Sequence, residues 1–173
     1  MKKEALEVLE NRRSIRSYTD EAVAPELLDA VLRAGTYAPT AKNRMDPVIV
    51  AVTDRETTDA LRRLNAAAWG KEGTDPYYGA PVILVIFSTD TFTGRLDAAA
   101  VLTNMLNAAY AVDLAGCWIN RPYEMFQTEE GKALMAKWGV PEGYIGVCSM
   151  SLGHSAVPQP KASPRKEGYI LRV

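Results

Sequence analysis

The sequence is poor in the residues that build metal centres and nucleophile sites. It has only two cysteines, Cys117 and Cys148, and one histidine, His154, among 173 residues. Their spacing matches no zinc or iron motif, so no metal is expected. A lone histidine after a predicted strand is more often structural than catalytic. Hydrolysis through a serine or cysteine triad is therefore disfavoured, and no side chain is assigned as catalytic.

Long apolar runs and nucleotide-binding glycine loops are missing as well. The longest continuous apolar run, 82–87, is far shorter than the roughly 20 residues that cross a bilayer, so no membrane contact is expected. Met-Lys-Lys at the start is not followed by the pattern of a signal peptide, and the two cysteines have no disulfide-like spacing. These features predict a cytoplasmic protein. No dinucleotide-binding or Walker glycine motif is present, so a phosphate site must be built from arginines.

What the sequence does contain is typical of a globular protein. Apolar residues make up 47% and charged residues 24% of the chain, and the net charge is −1. A length of 173 residues suits one domain spanning 1–173. The near-zero net charge argues against a nucleic acid partner.

Periodicity and capping residues predict an alternation of helices and strands. Helices are expected at 4–11, 25–35, 54–69, 97–115 and 129–138, and strands at 47–52, 81–87, 117–119 and 144–152. Gly116 is expected to end the fourth helix. The segment 154–173 contains Pro158, Pro160 and Pro164 and is expected to form an extended arm that reaches up to roughly 70 Å and adds to a neighbouring subunit.

An arginine cluster follows the first predicted helix. Arg12, Arg13 and Arg16 lie within five residues and flank Ser14. Guanidinium groups bind phosphate oxygens two at a time, and a serine adds a hydroxyl and an N–H. The cluster suits a phosphate group, although a run of this kind taken alone is more often a solvated turn or an interaction arm. With no nucleophile and no metal, a bound cofactor would have to supply the chemistry.

Ordered motifs along the chain resemble the nitroreductase family of flavoproteins. In order, they are Arg12-Arg13-Ser14-Ile15-Arg16, the loop from Ala38 to Arg44, the helical segment Asn104 to Ala109, Gly116-Cys117-Trp118-Ile119, and Pro164-Arg165-Lys166. The resemblance implies an α+β fold with a mixed central sheet flanked by helices. It also implies an intertwined homodimer that exchanges C-terminal arms and holds FMN at the subunit interface.

The resemblance also implies roles for individual residues. Arg12, Arg13 and Ser14 would contact the phosphate and ribityl chain, and Arg16 would lie near the N1 and O2 edge of the flavin ring. Asn65 would read the pyrimidine edge. Pro39, Thr40, Ala41 and Asn43 would belong to the part of the site that the second subunit contributes. Trp118, Ile119 and Asn120 would form the segment that passes the flavin N5. Arg165 and Lys161 would contact the phosphate from the arm. Met45 stands where the family commonly has a glutamine.

The resulting hypothesis is an FMN-dependent oxidoreductase that uses NADH or NADPH to reduce a small acceptor such as a nitroaromatic or quinone by a ping-pong mechanism. Tyr77, Tyr78 and Tyr123 are candidate walls for the substrate. An alternative is a non-catalytic flavin carrier or redox-responsive regulator, which would show no steady NAD(P)H oxidation. A third alternative, a nucleic acid binder with a basic arm, predicts no flavin colour and a steep dependence of binding on salt.

Overall fold

The structure is a computed structural model that describes residues 4–173. The Met-Lys-Lys segment, which entered the expectation about a signal peptide, lies outside the described residues. Six helices are α1 (Ala5–Asn11), α2 (Pro25–Thr36), α3 (Arg55–Trp69), α4 (Phe92–Ala111), α5 (Pro122–Met125) and α6 (Glu129–Lys137). Four strands are β1 (Val48–Val52), β2 (Val82–Thr89), β3 (Ala115–Ile119) and β4 (Tyr144–Gly153). A short 3-10 turn covers Ala41–Asn43.

The strands form one sheet in the order β1-β2-β4-β3. All three strand pairings are antiparallel, where the resemblance implied a mixed sheet. The parallel contact among the described residues is a single bridge between Ser14 and Gly116, on the outer side of β3. The expectation of an α+β fold with helices around a central sheet is confirmed.

Two hydrophobic clusters cover the two faces of the sheet. Side chains alternate along a strand, so in β2 Leu84 and Ile86 join the cluster of α2 and α4. Val85 and Phe87 point the other way, into the cluster of α3, α5 and α6. Burial on both faces explains why β2 is an unbroken apolar run rather than an alternating one.

The long helix α4 does not have the predicted boundaries. It runs from Phe92 to Ala111 instead of from 97 to 115. Thr91 caps its start by accepting the Gly94 N–H at 3.0 Å, which the apolar pattern did not indicate. Gly116 does not end the helix, because it lies within β3. A Cβ on Gly116 would lie 2.7 Å from the Met150 Cε and 3.2 Å from Ser151 O, so β3 packs closely against its neighbours at this position.

The expected N-terminal caps of α3 and α6, Asp54 and Thr128, are confirmed. The Asp54 carboxylate accepts the Thr57 N–H at 2.8 Å, and the Thr128 hydroxyl accepts the Gly131 N–H at 3.0 Å. Gly70 ends α3 in the left-handed conformation with φ of 68°, as a C-terminal glycine commonly does. Within residues 4–173, no helix combines the length and apolarity that a membrane crossing requires.

The segment after β4 is extended, and every residue from 155 to 173 is exposed. Its first residues pair with the stretch that follows the arginine cluster: the Ala156 N–H donates to Ser17 O at 3.1 Å, and the Thr19 N–H donates to His154 O at 3.0 Å. The Gln159 amide then donates to Asn11 O at 2.7 Å. The start of the arm is thereby fixed beside the C-terminal end of α1.

Candidate functional site

The arginine cluster lies along the outer edge of β3. Arg12 directly follows α1, and its N–H donates to Val8 O at 3.1 Å. Two residues later Ser14 bridges Gly116, and the Ile15 N–H donates to Gly116 O at 3.2 Å. The structure therefore brings the 12–16 segment next to the strand that leads into 118–120, which are 100 residues further along the chain.

Two guanidinium nitrogens in this cluster are buried and lack a hydrogen-bond acceptor among the described residues: Arg12 Nη1 and Arg13 Nε. Arg13 Nη1 donates to Glu10 O at 2.9 Å and to Arg12 O at 2.6 Å. Burial, and secondarily the neighbouring Arg13 charge, lower the pKa of Arg12. Buried donors of positive charge are costly when they remain unpaired. An anionic group that reached these nitrogens would supply the acceptors that they lack.

Arg16 differs from the other two arginines of the cluster. It is exposed and forms no ion pair with a described residue. Its guanidinium is therefore available to a ligand at the surface.

The end of β3 presents a surface aromatic ring and an amide. Trp118 is 36% exposed, and its Nε1–H donates to Asn120 Oδ1 at 2.8 Å. Ile119 is buried, so its side chain faces the core and only its backbone can contact a ligand. The chain then turns sharply at Arg121, whose φ is 81°.

Asn65 lies behind this surface rather than on it. The side chain is 0% exposed, and its Nδ2 donates to Asn120 O at 2.8 Å, while its Oδ1 is buried without a partner. Asn65 therefore lies on the inner side of Asn120. Its expected contact with the flavin edge stays a prediction.

The loop containing Pro39, Thr40, Ala41 and Asn43 lies elsewhere, against the N-terminal part of α4. The Ala41 N–H donates to both oxygens of the buried Asp97 carboxylate, at 3.0 and 3.2 Å. Gly116, in contrast, packs near Leu106, nine residues further along α4, which is about 13 Å along a helix. The structure of one chain thus does not bring this loop to the arginine cluster.

The loop has an unusual backbone for residues that are not glycine. Lys42, Asn43 and Met45 have φ values of 54°, 54° and 55°, in a region that side chains with a Cβ rarely adopt. The Thr40 hydroxyl holds the Met45 N–H at 3.0 Å. Met45 is 64% exposed, so the position where the family commonly has a glutamine presents an apolar side chain to the surface.

Among the described residues, Lys161 and Arg165 form no hydrogen bond with the arginine cluster. Both are exposed, and the Arg165 Nε–H donates to Ser163 O at 3.2 Å, two residues away. Hydrogen bonds between the arm and the rest of its own chain end at Gln159 in the described residues.

The three tyrosines suggested as walls divide into two kinds. Tyr77 is 0% exposed and cannot line a surface site, so that suggestion was wrong, whereas Tyr78 and Tyr123 are 38% and 40% exposed. Tyr77 instead hydrogen-bonds Ser149, with 3.0 Å between the two oxygens. Ser149 was not singled out from the sequence, because a serine within an apolar strand gives no signal until the residues opposite it are known.

No cluster of metal-binding side chains occurs in residues 4–173.

Comparisons with known proteins point to one family. The sequence profile of the nitroreductase family matches residues 9–77. A protein of Archaeoglobus fulgidus named NADH dehydrogenase/NAD(P)H nitroreductase is 27% identical over 87% of this chain and 85% of its own length.

Two solved structures share the fold. A nitroreductase of Bacteroides fragilis with bound FMN is 27% identical, with a TM-score of 0.90 and coverage of 99% of each chain. A nitroreductase of Desulfitobacterium hafniense with bound FMN has the same fold, with a TM-score of 0.89, 23% identity and full coverage of both chains. Together with the motifs at 12–16 and 116–119, these similarities show that the chain resembles nitroreductases in sequence and shares their fold over its full length.

Proposed function

We propose that this protein is an FMN-dependent oxidoreductase that uses NADH or NADPH as reductant. The relatives support both groups: the Bacteroides fragilis structure contains FMN, and the Archaeoglobus fulgidus relative is named for NAD(P)H. The finer proposal is that the acceptor is a small aromatic or conjugated molecule, such as a nitroaromatic or quinone, reduced by a ping-pong mechanism.

The observation that carries the proposal is the pair of buried, unpaired guanidinium nitrogens on Arg12 and Arg13. A phosphate monoester supplies several anionic oxygens, which match such donors in charge and in number. The residues present therefore fit the phosphate end of FMN, with Ser14 able to add its hydroxyl.

The other end of the site fits the flavin ring. When bound, FMN accepts a hydride from the reductant and passes it to the acceptor. Arg16 would place a positive charge near the ring, which favours the electron-rich reduced state. Trp118, Ile119 and Asn120 would pass alongside the ring, with the Trp118 indole held by Asn120. The protein would bind FMN, orient it and tune its potential, since none of the side chains described at this site is placed to act as a nucleophile or a metal ligand.

A second copy of the chain completes this proposal. The loop residues Pro39, Thr40, Ala41 and Asn43 lie away from the arginine cluster of their own chain. Lys161 and Arg165 form no hydrogen bond with that cluster among the described residues. Both sets would instead reach the site of a partner subunit in a homodimer with exchanged arms. Apolar side chains on α1 and α4 support a contact surface, since Leu6, Leu9 and Phe92 are 70%, 60% and 81% exposed. Cys117 and Cys148 are both free thiols, in keeping with the cytoplasmic location that we propose.

The test has two stages. The purified protein should be yellow or should take up added FMN, and heat should release FMN rather than FAD. The loaded protein should then oxidise NADH or NADPH steadily in the presence of menadione or nitrofurazone. A protein that does not bind FMN would refute the proposal, while one that binds FMN without turnover would be a carrier or regulator.

A further inference from the structure

A buried network of polar side chains holds two consecutive carbonyl groups at the end of β3. The Ser149 hydroxyl donates to Ile119 O at 3.0 Å, and the Asn65 amide donates to Asn120 O at 2.8 Å. Tyr77 lies between them, with its hydroxyl 3.0 Å from Ser149 Oγ and 3.5 Å from Asn65 Nδ2. Asn65, Tyr77 and Ser149 are each 0% exposed.

The hydrogen bonds among these three side chains all have their donors on the same side. A serine hydroxyl has one hydrogen, and Ser149 uses it on Ile119 O. Tyr77 must therefore donate to Ser149 Oγ, and its oxygen can accept from Asn65. Burial raises the pKa of Tyr77 to about 12, so the hydroxyl keeps its hydrogen at neutral pH. Asn65, Tyr77 and Ser149 thus act as one unit, which we call the carbonyl clamp.

Fixing these two carbonyls also fixes the direction of two N–H groups. No cis peptide bond occurs in the described chain, and in a trans peptide the N–H points opposite to the C=O. Since both carbonyls point inward to the clamp, the N–H groups of Asn120 and Arg121 point outward. Neither N–H has an acceptor among the described residues. They lie beside Trp118 and Asn120, which are exposed.

The backbone at this point is held in a conformation that it would not adopt freely. Arg121 has φ of 81°, which disfavours a residue with a Cβ. The Arg121 carbonyl accepts the Met125 N–H at 3.0 Å, which starts α5, and the clamp fixes the preceding carbonyl. Successive N–H groups that face one way bind anions and other electron-rich atoms.

We propose that Asn65, Tyr77 and Ser149 are positioning residues that aim the Asn120 and Arg121 N–H groups at the flavin ring and so favour its reduced state. This inference rests on the proposed function, because it takes FMN to be the ligand of these donors. It assigns the Asn65 Nδ2 a role through the backbone, and leaves the buried Asn65 Oδ1 free for the direct contact that the resemblance implies. Donors aimed at an electron-rich ring stabilise the state with more negative charge.

The test compares Ser149→Ala and Tyr77→Phe with Ser151→Ala. Ser151 is a matched control: it is also 0% exposed and lies two residues along the same strand. Its Oγ bonds Cys117 O at 3.5 Å and the Tyr18 hydroxyl at 2.7 Å, so its removal takes a similar buried hydroxyl from the sheet without releasing the 119–121 peptides. Ser149→Thr, which keeps a hydroxyl, tests rescue.

The first readout is the midpoint potential of bound FMN. In each clamp variant, the equilibrium constant for reduction of bound FMN should fall about tenfold. For a two-electron couple this makes the midpoint potential about 30 mV more negative. Ser151→Ala should keep the wild-type potential, and Ser149→Thr should restore most of the shift. Equal potentials in Ser149→Ala, Tyr77→Phe and the wild type would overturn the inference.

The second readout does not need redox chemistry. In the wild type, adding FMN should slow amide hydrogen exchange at Asn120 and Arg121, and this protection should be lost in Ser149→Ala. Protection that is the same in the variant and the wild type would also overturn the inference. A wild type that binds no FMN would refute the proposed function itself, whereas FMN binding with unshifted clamp variants would refute the clamp alone.

Discussion

Replacing Arg12 with methionine tests the phosphate site most specifically. Methionine keeps an unbranched apolar stem and removes the charged donors. Arg12 Nη1 is buried without a partner, so in the complex it is expected to make a charge-assisted hydrogen bond worth about 1.5–3 kcal/mol. At about 1.4 kcal/mol per tenfold, the Kd for FMN should rise about 10- to 150-fold.

The same substitution should not destabilise the protein without FMN. Burial lowers the pKa of Arg12, which means that the folded state disfavours the charged form. Removing that charge should leave the free energy of unfolding of the FMN-free protein unchanged or higher. A large loss of stability would indicate that Arg12 is a structural residue instead.

Fluorescence titration with FMN and with riboflavin provides the assay. Riboflavin lacks the phosphate, so its affinity should be the same for the wild type and Arg12→Met. Arg55→Met is the control for loss of a positive charge, since the Arg55 side chain is 95% exposed and lies 3.8 Å from Asp59. An FMN Kd that changes less than about threefold in Arg12→Met, which is under 1 kcal/mol, or an equal loss of riboflavin binding, would refute the phosphate assignment.

Three further predictions concern the loop, the buried tyrosine and the arm. Asp97→Ala removes the acceptor of the Ala41 N–H and should lower the free energy of unfolding, measured with urea, by about 1–3 kcal/mol. Asp97→Asn should lower the free energy of unfolding by less. Burial raises the pKa of Tyr77 to about 12, whereas a tyrosine in an unfolded chain has a pKa of roughly 10. As the pH rises, the unfolded state therefore loses this proton first, and the free energy of unfolding falls between about pH 10 and 12. Tyr77→Phe should make that fall shallower in urea unfolding near pH 11, and an unchanged slope would contradict the assignment. Deleting 161–173, which lie beyond the Gln159 contact, should leave a folded chain by circular dichroism but shift sedimentation from dimer toward monomer; a stable dimer would contradict the exchanged arm.

Local signals in the sequence predicted most of the secondary structure. Asp54 and Thr128 cap their helices as expected, because capping depends on residues within one turn. The start of α4 was missed because Phe92 and Leu96 are 81% and 54% exposed, so their apolar side chains do not follow a core-facing pattern. Gly116 was misjudged because only the packed sheet shows which neighbours require its missing side chain.

The site could be predicted in part. The arginine cluster was recognisable from composition and order, but its burial depends on β3, which follows about 100 residues later. Asn65 was noticed, yet its burial and its bond to Asn120 O could not be read from local pattern. Ser149 had no sequence signal of function, and Tyr77 was suggested only as a wall for the substrate. Their roles arise from contacts that α3 and the loop after it make with β3 and β4.

The most direct test of the central claim is a single reduction under anaerobic conditions. FMN-loaded protein is mixed with NADH or NADPH, the visible flavin band is followed, and a quinone is then added. The account predicts that the band bleaches with the reductant and returns with the quinone, and that both steps need bound FMN. A band that persists with both NADH and NADPH would contradict the claim that this chain is an NAD(P)H-dependent flavin oxidoreductase.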